Sequence, residues 1–294
     1  WDGKGEEKMK HSMGRASSRS IWSHIGNFLF LLPIALFMAL PLVFLVSSAF
    51  KPIDELFLFP PKFFPERPTL TNFQDLSSLL GDSWLPFSRY VFNSLFVTVI
   101  GTVCNVLFSS MAAYVLSKFK FPGSKVLFQV VVLSLLFSSV VTTIPNYIIM
   151  TKLHMVNTMW ALILPLIPSS LGLFLMKQFM DQMVPYTLLE AARLDGAGEN
   201  RIFFQICLPL VRPAWMTLII FSFTGIWNTT GGVMIFDEKL KTLPTALNNV
   251  VAGGIARTGV SAAIAFILVL PPVVVFLLAQ SNVLQTMATS GLKD

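Results

Sequence analysis

Ionisable side chains are scarce in this sequence, and five of them fall within twelve consecutive residues: Glu190, Arg193, Asp195, Glu199 and Arg201. No acidic residue lies between Asp82 and Asp181, and no charge of either sign lies between Arg257 and Lys293. In so apolar a chain, such a patch can form ion pairs and hydrogen bonds with a soluble partner at a membrane surface. Catalysis fits poorly: the apolar runs hold no paired carboxylates and no nucleophile–base pair. His11, His24 and His154 are scattered, and Cys104 and Cys207 make no pattern, so neither a metal site nor a disulfide is expected. There is no glycine-rich phosphate loop ending in lysine, so no nucleotide site or cofactor is expected in the chain itself.

The elements that must position this patch follow from composition. Of the 294 residues, 54% are hydrophobic and 12% charged, with 27 phenylalanines. A soluble domain carries about 25% charged residues, so the chain belongs to the polytopic membrane class. The net charge of +6 would suit nucleic acid in a soluble protein. Here the basic residues flank apolar runs, which points to membrane topology instead, and nucleic acid is not an expected partner.

A membrane-spanning helix takes roughly 20 apolar residues. On that basis the expected architecture is all-α, with six transmembrane helices at about 27–50, 90–117, 126–150, 156–179, 214–235 and 260–283. Residues 1–26 read as a polar N-terminal tail, 27–285 as the six-span domain, and 286–294 as a short tail. The first apolar run is too long for the core of a cleavable signal peptide. Pro33 and Pro41 are expected to kink the first span. Residues 51–88 contain six prolines and are too broken to span; Phe57, Phe59, Phe63, Phe64 and Trp84 would hold this loop at the membrane surface.

Six spans place both termini on one side. Thirteen of the 21 lysines and arginines lie on the side of the termini, the turn Lys118–Lys125 and the charged patch. The positive-inside rule makes that side cytoplasmic.

The patch itself, within 182–210, reads as helix, tight turn, helix. Thr187 and Glu190 fit a capping box, apolar residues continue the helix, and Gly196-Ala197-Gly198 breaks it. A second helical stretch from Glu199 to Cys207 would end at Leu208-Pro209, where the next span begins. Taken alone, such a segment fits a solvated interfacial loop.

The spacing is more specific. Glu190-Ala191-Ala192, then Gly196, Ile206 and Leu208-Pro209, match the EAA-x3-G-x9-I-x-LP signature of ABC importer permeases, and Asp195 and Ala197 fit its frequent D-G-A form. The sequence therefore resembles the inner-membrane permease of binding-protein-dependent ABC importers, most closely the maltose-type six-span subunit of the sugar-transport branch. Asn93-Ser94, Ala112 to Leu116 followed by Phe121-Pro122-Gly123, Asn157-Thr158 with Ala161 to Leu164, and Trp227-Asn228 agree with that branch. Thr229-Thr230-Gly231-Gly232 departs from it.

The resemblance implies a subunit of the bacterial or archaeal cytoplasmic membrane that forms half of a sugar pathway. It would pair with a second homologous permease, two ATPase subunits that bind ATP and Mg, and an external sugar-binding protein. The patch would be a coupling helix docked on one ATPase. Glu190 would make polar contacts, Ala191 and Ala192 would allow close approach and Gly196 would form the bend, with Asp195, Ile206, Leu208 and Pro209 completing the motif. The other readings are a permease for a different small neutral solute, or an ATP-independent channel or scaffold subunit.

A sugar path needs polar and aromatic side chains inside the bundle. Asn93, Asn105, Asn146, Tyr147, Trp227 and Asn228 are the candidates. Each also has a structural reading, as an interhelical hydrogen bond or an interface anchor. Gly101 and Ser109-Ser110 suit close helix packing.

Overall fold

Helix is the only regular structure in a computed structural model that describes residues 21–81, 85–252 and 257–290. Fourteen α-helices run in order: α1 (Ile21–Ala49), α2 (Ile53–Leu56), α3 (Thr71–Gly81), α4 (Phe87–Lys118), α5 (Ser124–Ser134), α6 (Ser139–Lys152), α7 (Met159–Ile163), α8 (Ser170–Met183), α9 (Tyr186–Leu194), α10 (Glu199–Ile202), α11 (Leu208–Leu210), α12 (Arg212–Trp227), α13 (Leu243–Val251) and α14 (Thr258–Ser290). Residues 1–20 of the predicted tail 1–26, residues 291–294 of the predicted tail 286–294, and Trp84 lie outside the described residues.

The central strut is α4. It has 32 residues, about 48 Å at 1.5 Å per residue, against a hydrocarbon core of about 30 Å. It is therefore longer than the hydrocarbon is thick. Small residues let its neighbours approach. A methyl added at Gly101 would meet Ile226 Cδ1 of α12 at 3.1 Å, and one at Gly172 of α8 would meet Ser109 Oγ of α4 at 2.7 Å. Both are backbone approaches of the kind that small residues permit between membrane helices. Gly172 carries no sequence signal of this role by itself.

Three helical stretches are long and apolar enough to cross a membrane: Ile25–Ala49, Phe87–Lys118 and Thr258–Gln280. Two bent pairs bring the total to five. α1 stays continuous through Pro33 and Pro41, where the sequence predicts kinks. The third predicted span, 126–150, is divided into α5 and α6, because the chain leaves helical geometry before Ser138, whose side chain caps α6 through Val140 N. In the fourth, Pro165 and Pro168 interrupt the helix, and Met159–Leu166 meets Ser170–Met183 at 40°. The fifth starts at Arg212 and ends at Trp227, eight residues before the predicted Ile235. There Asn228 Nδ2 and Thr229 Oγ1 bond back to Thr224 O and Gly225 O at 2.9 and 3.0 Å. Gly231 and Gly232 follow, with Gly232 at φ +50°. The helix ends where these side chains compete for its last carbonyls, and the left-handed glycine turns the chain further on.

Cores sit at both ends of the bundle. At one end Leu76, Tyr90, Trp227, Leu243 and Leu247 pack with Ile264 of α14. At the other, Tyr114, Met176, Met180, Leu189, Ile202 and Cys207 are buried together. The second core is the bed on which the charged segment lies. The loop after α1 is also pinned: the buried Glu55 carboxylate accepts from Glu66 N at 3.0 Å and Arg67 N at 3.1 Å, and Asn72 Nδ2 donates to Ala49 O and Lys51 O.

Candidate functional site

α9 begins two residues earlier than a Thr187 cap requires. Pro185 is the N-cap, extended at φ −69°, and no side chain caps the helix. The predicted capping box is therefore not formed; Thr187 sits inside the first turn, and proline sets the entry geometry instead. The entry is anchored on α4. Lys118 Nζ donates to Val184 O at 2.7 Å, Tyr186 Oη donates to Ser117 O at 2.7 Å, and Lys118 Nζ lies 4.7 Å from the centre of the Tyr186 ring. Ser117 Oγ donates to Asp181 Oδ1 at 2.5 Å, and Lys177 Nζ donates to Asp181 Oδ2 at 2.6 Å.

Period 3.6 gives α9 two faces. Leu189 and Ala192 are buried against the core, while Thr187, Glu190, Ala191 and Leu194 point outward. Leu194 is 89% exposed, an apolar side chain one turn from Glu190 with no cover among the described residues. Glu190 and Asp195 make no hydrogen bond or ion pair among the described residues.

The glycine of the signature has a backbone reason. Gly196 adopts φ +78°. Its N–H donates to Arg193 O and the Ala197 N–H donates to Ala192 O, both at 3.0 Å. These two bonds are a Schellman motif with Gly196 at the C′ position, where the left-handed conformation strongly favours glycine. Asp195 is the C-cap.

Beyond the turn, Glu199 opens α10. Its carboxylate accepts from Arg193 Nε at 2.7 Å and from Tyr114 Oη at 2.6 Å. The Arg193 contact first, then the Tyr114 hydrogen bond, hold this carboxyl below the usual carboxylate range. The helix then widens into a π-turn, Phe203–Cys207, closed by the Leu208 N–H to Phe203 O. Such turns recur at functional sites. The next residue, Pro209, has no N–H to extend the ladder. Ile206 and Leu208 pack partly buried against the core. After Val211 the chain bends 80° into α12, with the Trp215 Nε1–H on Leu208 O at 3.1 Å bracing the corner. The predicted second helix, Glu199 to Cys207, thus continues to Leu210, and its 80° corner carries it across the end of the bundle.

The signature residues therefore divide. Ala192, Gly196, Ile206, Leu208 and Pro209 build the corner. Glu190, Ala191 and Asp195 face outward. Sequence reasoning missed the joint that holds the corner to α4: Tyr114, Ser117, Lys118, Asp181 and Tyr186. A signal was present, since two of only four tyrosines sit at the end of a span and at the start of the patch.

The predicted path residues are scattered. Asn93 is fully buried, with Nδ2 donating to Lys239 O and Lys241 O at 2.9 Å each. Trp227 is 2% exposed, stacks on Phe223 and donates to Leu268 O at 3.0 Å. Asn105 bonds Leu166 O and accepts from Ser222 Oγ, each at 2.9 Å. These three tie helices and loops together. Asn228 is exposed at the end of α12. Asn146 and Tyr147 lie on α6, where Met150 is the one buried side chain among those described. Asn157, at φ +62°, grips the loop after α12 by accepting from Phe236 N and Asp237 N. Cys104 and Cys207 are free thiols, and no group of three or more metal-ligating side chains converges among the described residues.

No family model matches the chain. Curated relatives do. It is 30% identical over 276 residues to the arabinooligosaccharides transport system permease protein AraQ of Halalkalibacterium halodurans, covering 92% of this chain and 96% of that protein. A putative ABC transporter permease protein of Caldicellulosiruptor sp. is 30% identical, over 90% of this chain and 96% of its own length. The galactooligosaccharides transport system permease protein GanQ of Bacillus subtilis is 28% identical over 91% of this chain and 94% of its own. Among solved structures, a bacterial ABC transporter involved in the import of the acidic polysaccharide alginate shares the fold, with TM-score 0.70 and 22% identity over 88% of this chain and 95% of that one. With its apolar helices and these relatives, the chain is a multi-pass membrane protein that belongs to the permease proteins of ABC transporters, in the branch whose named members serve oligosaccharide systems.

Proposed function

We propose that this chain is one of two transmembrane subunits of an ATP-driven importer for a sugar or oligosaccharide. We propose further that Tyr186–Leu210 is its mechanical link to an ATPase. The observation that carries the reading is the two-sided character of α9. Its outer face presents Glu190, Ala191 and the bare Leu194, while its inner face, Leu189 and Ala192, is buried in the core and its entry is tied to the end of α4. A helix so mounted is coupled to the end of α4 through its entry and its buried face.

In this reading ATP and Mg bind two partner ATPase subunits, one of which receives α9 in a groove. Leu194 fills an apolar site there, and Glu190 meets a polar or basic one. Closure of the ATPase dimer displaces α9. Tyr114–Glu199, Lys118–Val184 and the 80° corner carry the displacement into α4 and α12. α4 meets α12 closely at Gly101 and α8 closely at Gly172, so these helices pass on a shift as packed bodies. A second homologous permease completes the pathway, and an external binding protein delivers the solute. The patch, the Lys118–Lys125 turn and both termini are then cytoplasmic, in keeping with the basic-residue distribution.

Sugar as cargo draws support from the oligosaccharide systems of the relatives and from the uncharged interior. Among the path candidates, Asn146 and Tyr147 are the better placed, since most of the surface of α6 is uncovered among the described residues.

The test is Glu190→Lys in the assembled transporter, read as solute uptake and solute-stimulated ATP hydrolysis. Uptake is expected to be lost while membrane insertion is kept. Normal uptake with normal stimulation would overturn the reading.

A further inference from the structure

At the end of the bundle that carries the patch, the turn between α4 and α5 walls a cavity of about 750 Å³. Lys120, Lys125 and Lys177 all border it, and so do Phe119, Phe121 and Phe128. Lys177 is held in place: its Nζ lies 4.4 Å from the centre of the Phe128 ring and pairs with Asp181. Lys120 and Lys125 are exposed and have no anionic partner among the described residues. The start of α5 adds to the positive character. Gly123, at φ +89°, is its N-cap with no side-chain cap. The first α-helical bond is Leu127 N to Gly123 O, which leaves the Lys125 and Val126 N–H groups without helical acceptors.

What adjoins the cavity decides which anion fits. α5 leaves from its rim with an uncovered apolar flank: Val126 is 61% exposed, Leu127 53% and Val130 56%. A ligand matched to both parts has an anionic head and long alkyl chains. Soluble phosphate would leave the flank bare, and an acidic protein loop would set its polar backbone against it.

We propose that this cavity binds the phosphate headgroup of an anionic phospholipid, with the acyl chains lying along α5. Lys120 and Lys125 contact the phosphate, while Lys177 contributes field from its pinned position. Basic pockets between membrane helices at the cytoplasmic surface take such headgroups, and each lysine near the surface contributes about fivefold in affinity. The inference rests on the proposed orientation only for the leaflet concerned. Its location beside the α9 entry ties lipid occupancy to the joint, because Lys177 also holds Asp181, which accepts from Ser117.

The experiment uses the assembled transporter in mixed micelles of equimolar phosphatidylglycerol and phosphatidylcholine, with retained lipid identified by native mass spectrometry. Wild type is expected to retain phosphatidylglycerol over phosphatidylcholine. Lys120→Gln/Lys125→Gln is expected to lower that preference by roughly thirtyfold at most, two fivefold contributions combined, and Lys152→Gln is expected to leave it unchanged. An unchanged preference in the double variant overturns the proposal. So does loss of the bound lipid to millimolar inorganic phosphate with no reference to acyl chains, which marks a soluble-anion site. So does failure of the double variant to retain its ATPase subunits, which marks a protein-docking surface. The readout requires no transport. A complex that retains phosphatidylglycerol but gives normal uptake with Glu190→Lys refutes the coupling reading and leaves the lipid site standing.

Discussion

Removing one oxygen atom tests the joint between the patch and the bundle. Tyr114 is 5% exposed, and its Oη donates to Glu199 Oε2 at 2.6 Å. Tyr114→Phe deletes the donor but keeps the ring, which packs on Phe119 and Phe203 at 5.5 Å centroid separations. The abandoned acceptor is not stranded, because Glu199 is exposed and still meets Arg193. The loss is therefore that of one hydrogen bond to a charged group, at the low end of about 1.5–3 kcal/mol. Glu199→Ala is worse. It leaves the buried Tyr114 hydroxyl without its carboxylate, at about 1–3 kcal/mol, and breaks the exposed Arg193 pair, worth about 0–1 kcal/mol. The assay is a double-mutant cycle on Tyr114→Phe and Glu199→Gln in the assembled transporter, read both as thermal stability and as the ratio of solute-stimulated to basal ATP hydrolysis. A coupling energy of about 1 kcal/mol or more is expected. A fall in stimulation with basal hydrolysis intact is expected alongside it. Strict additivity with unchanged stimulation would refute the claim that this contact transmits motion.

Other outcomes follow from the same geometry. Gly196→Ala meets no atom within 4 Å but must hold φ +78°, so it is expected to cost about 1–2 kcal/mol, and Gly196→Val more, measured as protease sensitivity of the patch and loss of uptake. Glu199 is held below the usual carboxylate range, so its contribution is complete above about pH 4.3 and is lost as pH falls through the folded value. Stability curves between neutral and acid pH should show that step in wild type and lack it in Glu199→Gln. Asn93→Ala removes two donated bonds at 2.9 Å and should cost roughly 1–3 kcal/mol, appearing as a lower melting temperature with the solute KM unchanged. A substrate contact would do the reverse.

Polytopic helical character and the position of the patch were legible because both depend on local composition. A bilayer interior demands long apolar stretches and helices that satisfy their own backbone, and such demands are written into consecutive residues. Span boundaries were less legible. The breaks at Leu135–Ser138 and after Trp227 depend on whether neighbours support or replace the helical bonds, and hydropathy does not register that. The Thr187–Glu190 pairing matched a capping pattern, yet Pro185 and the Tyr186 and Lys118 bonds to distant backbone decided where α9 starts.

The path residues show the same division. Asparagine and tryptophan in an apolar run announce that a polar group needs a partner, but not which one. Asn93 found two carbonyls across the bundle near residue 240, and Trp227 found Leu268. By itself, the sequence determined the signature, the turn at glycine and the apolar helices, because those rest on spacing and on backbone preferences within a few residues. Only the tertiary structure decided that Tyr114 meets Glu199, that Glu190 and Leu194 share a bare face, and that Lys120, Lys125 and Lys177 border one cavity. Those are contacts between residues up to 85 positions apart, set by how α4, α8 and α12 pack rather than by the pattern within any one of them.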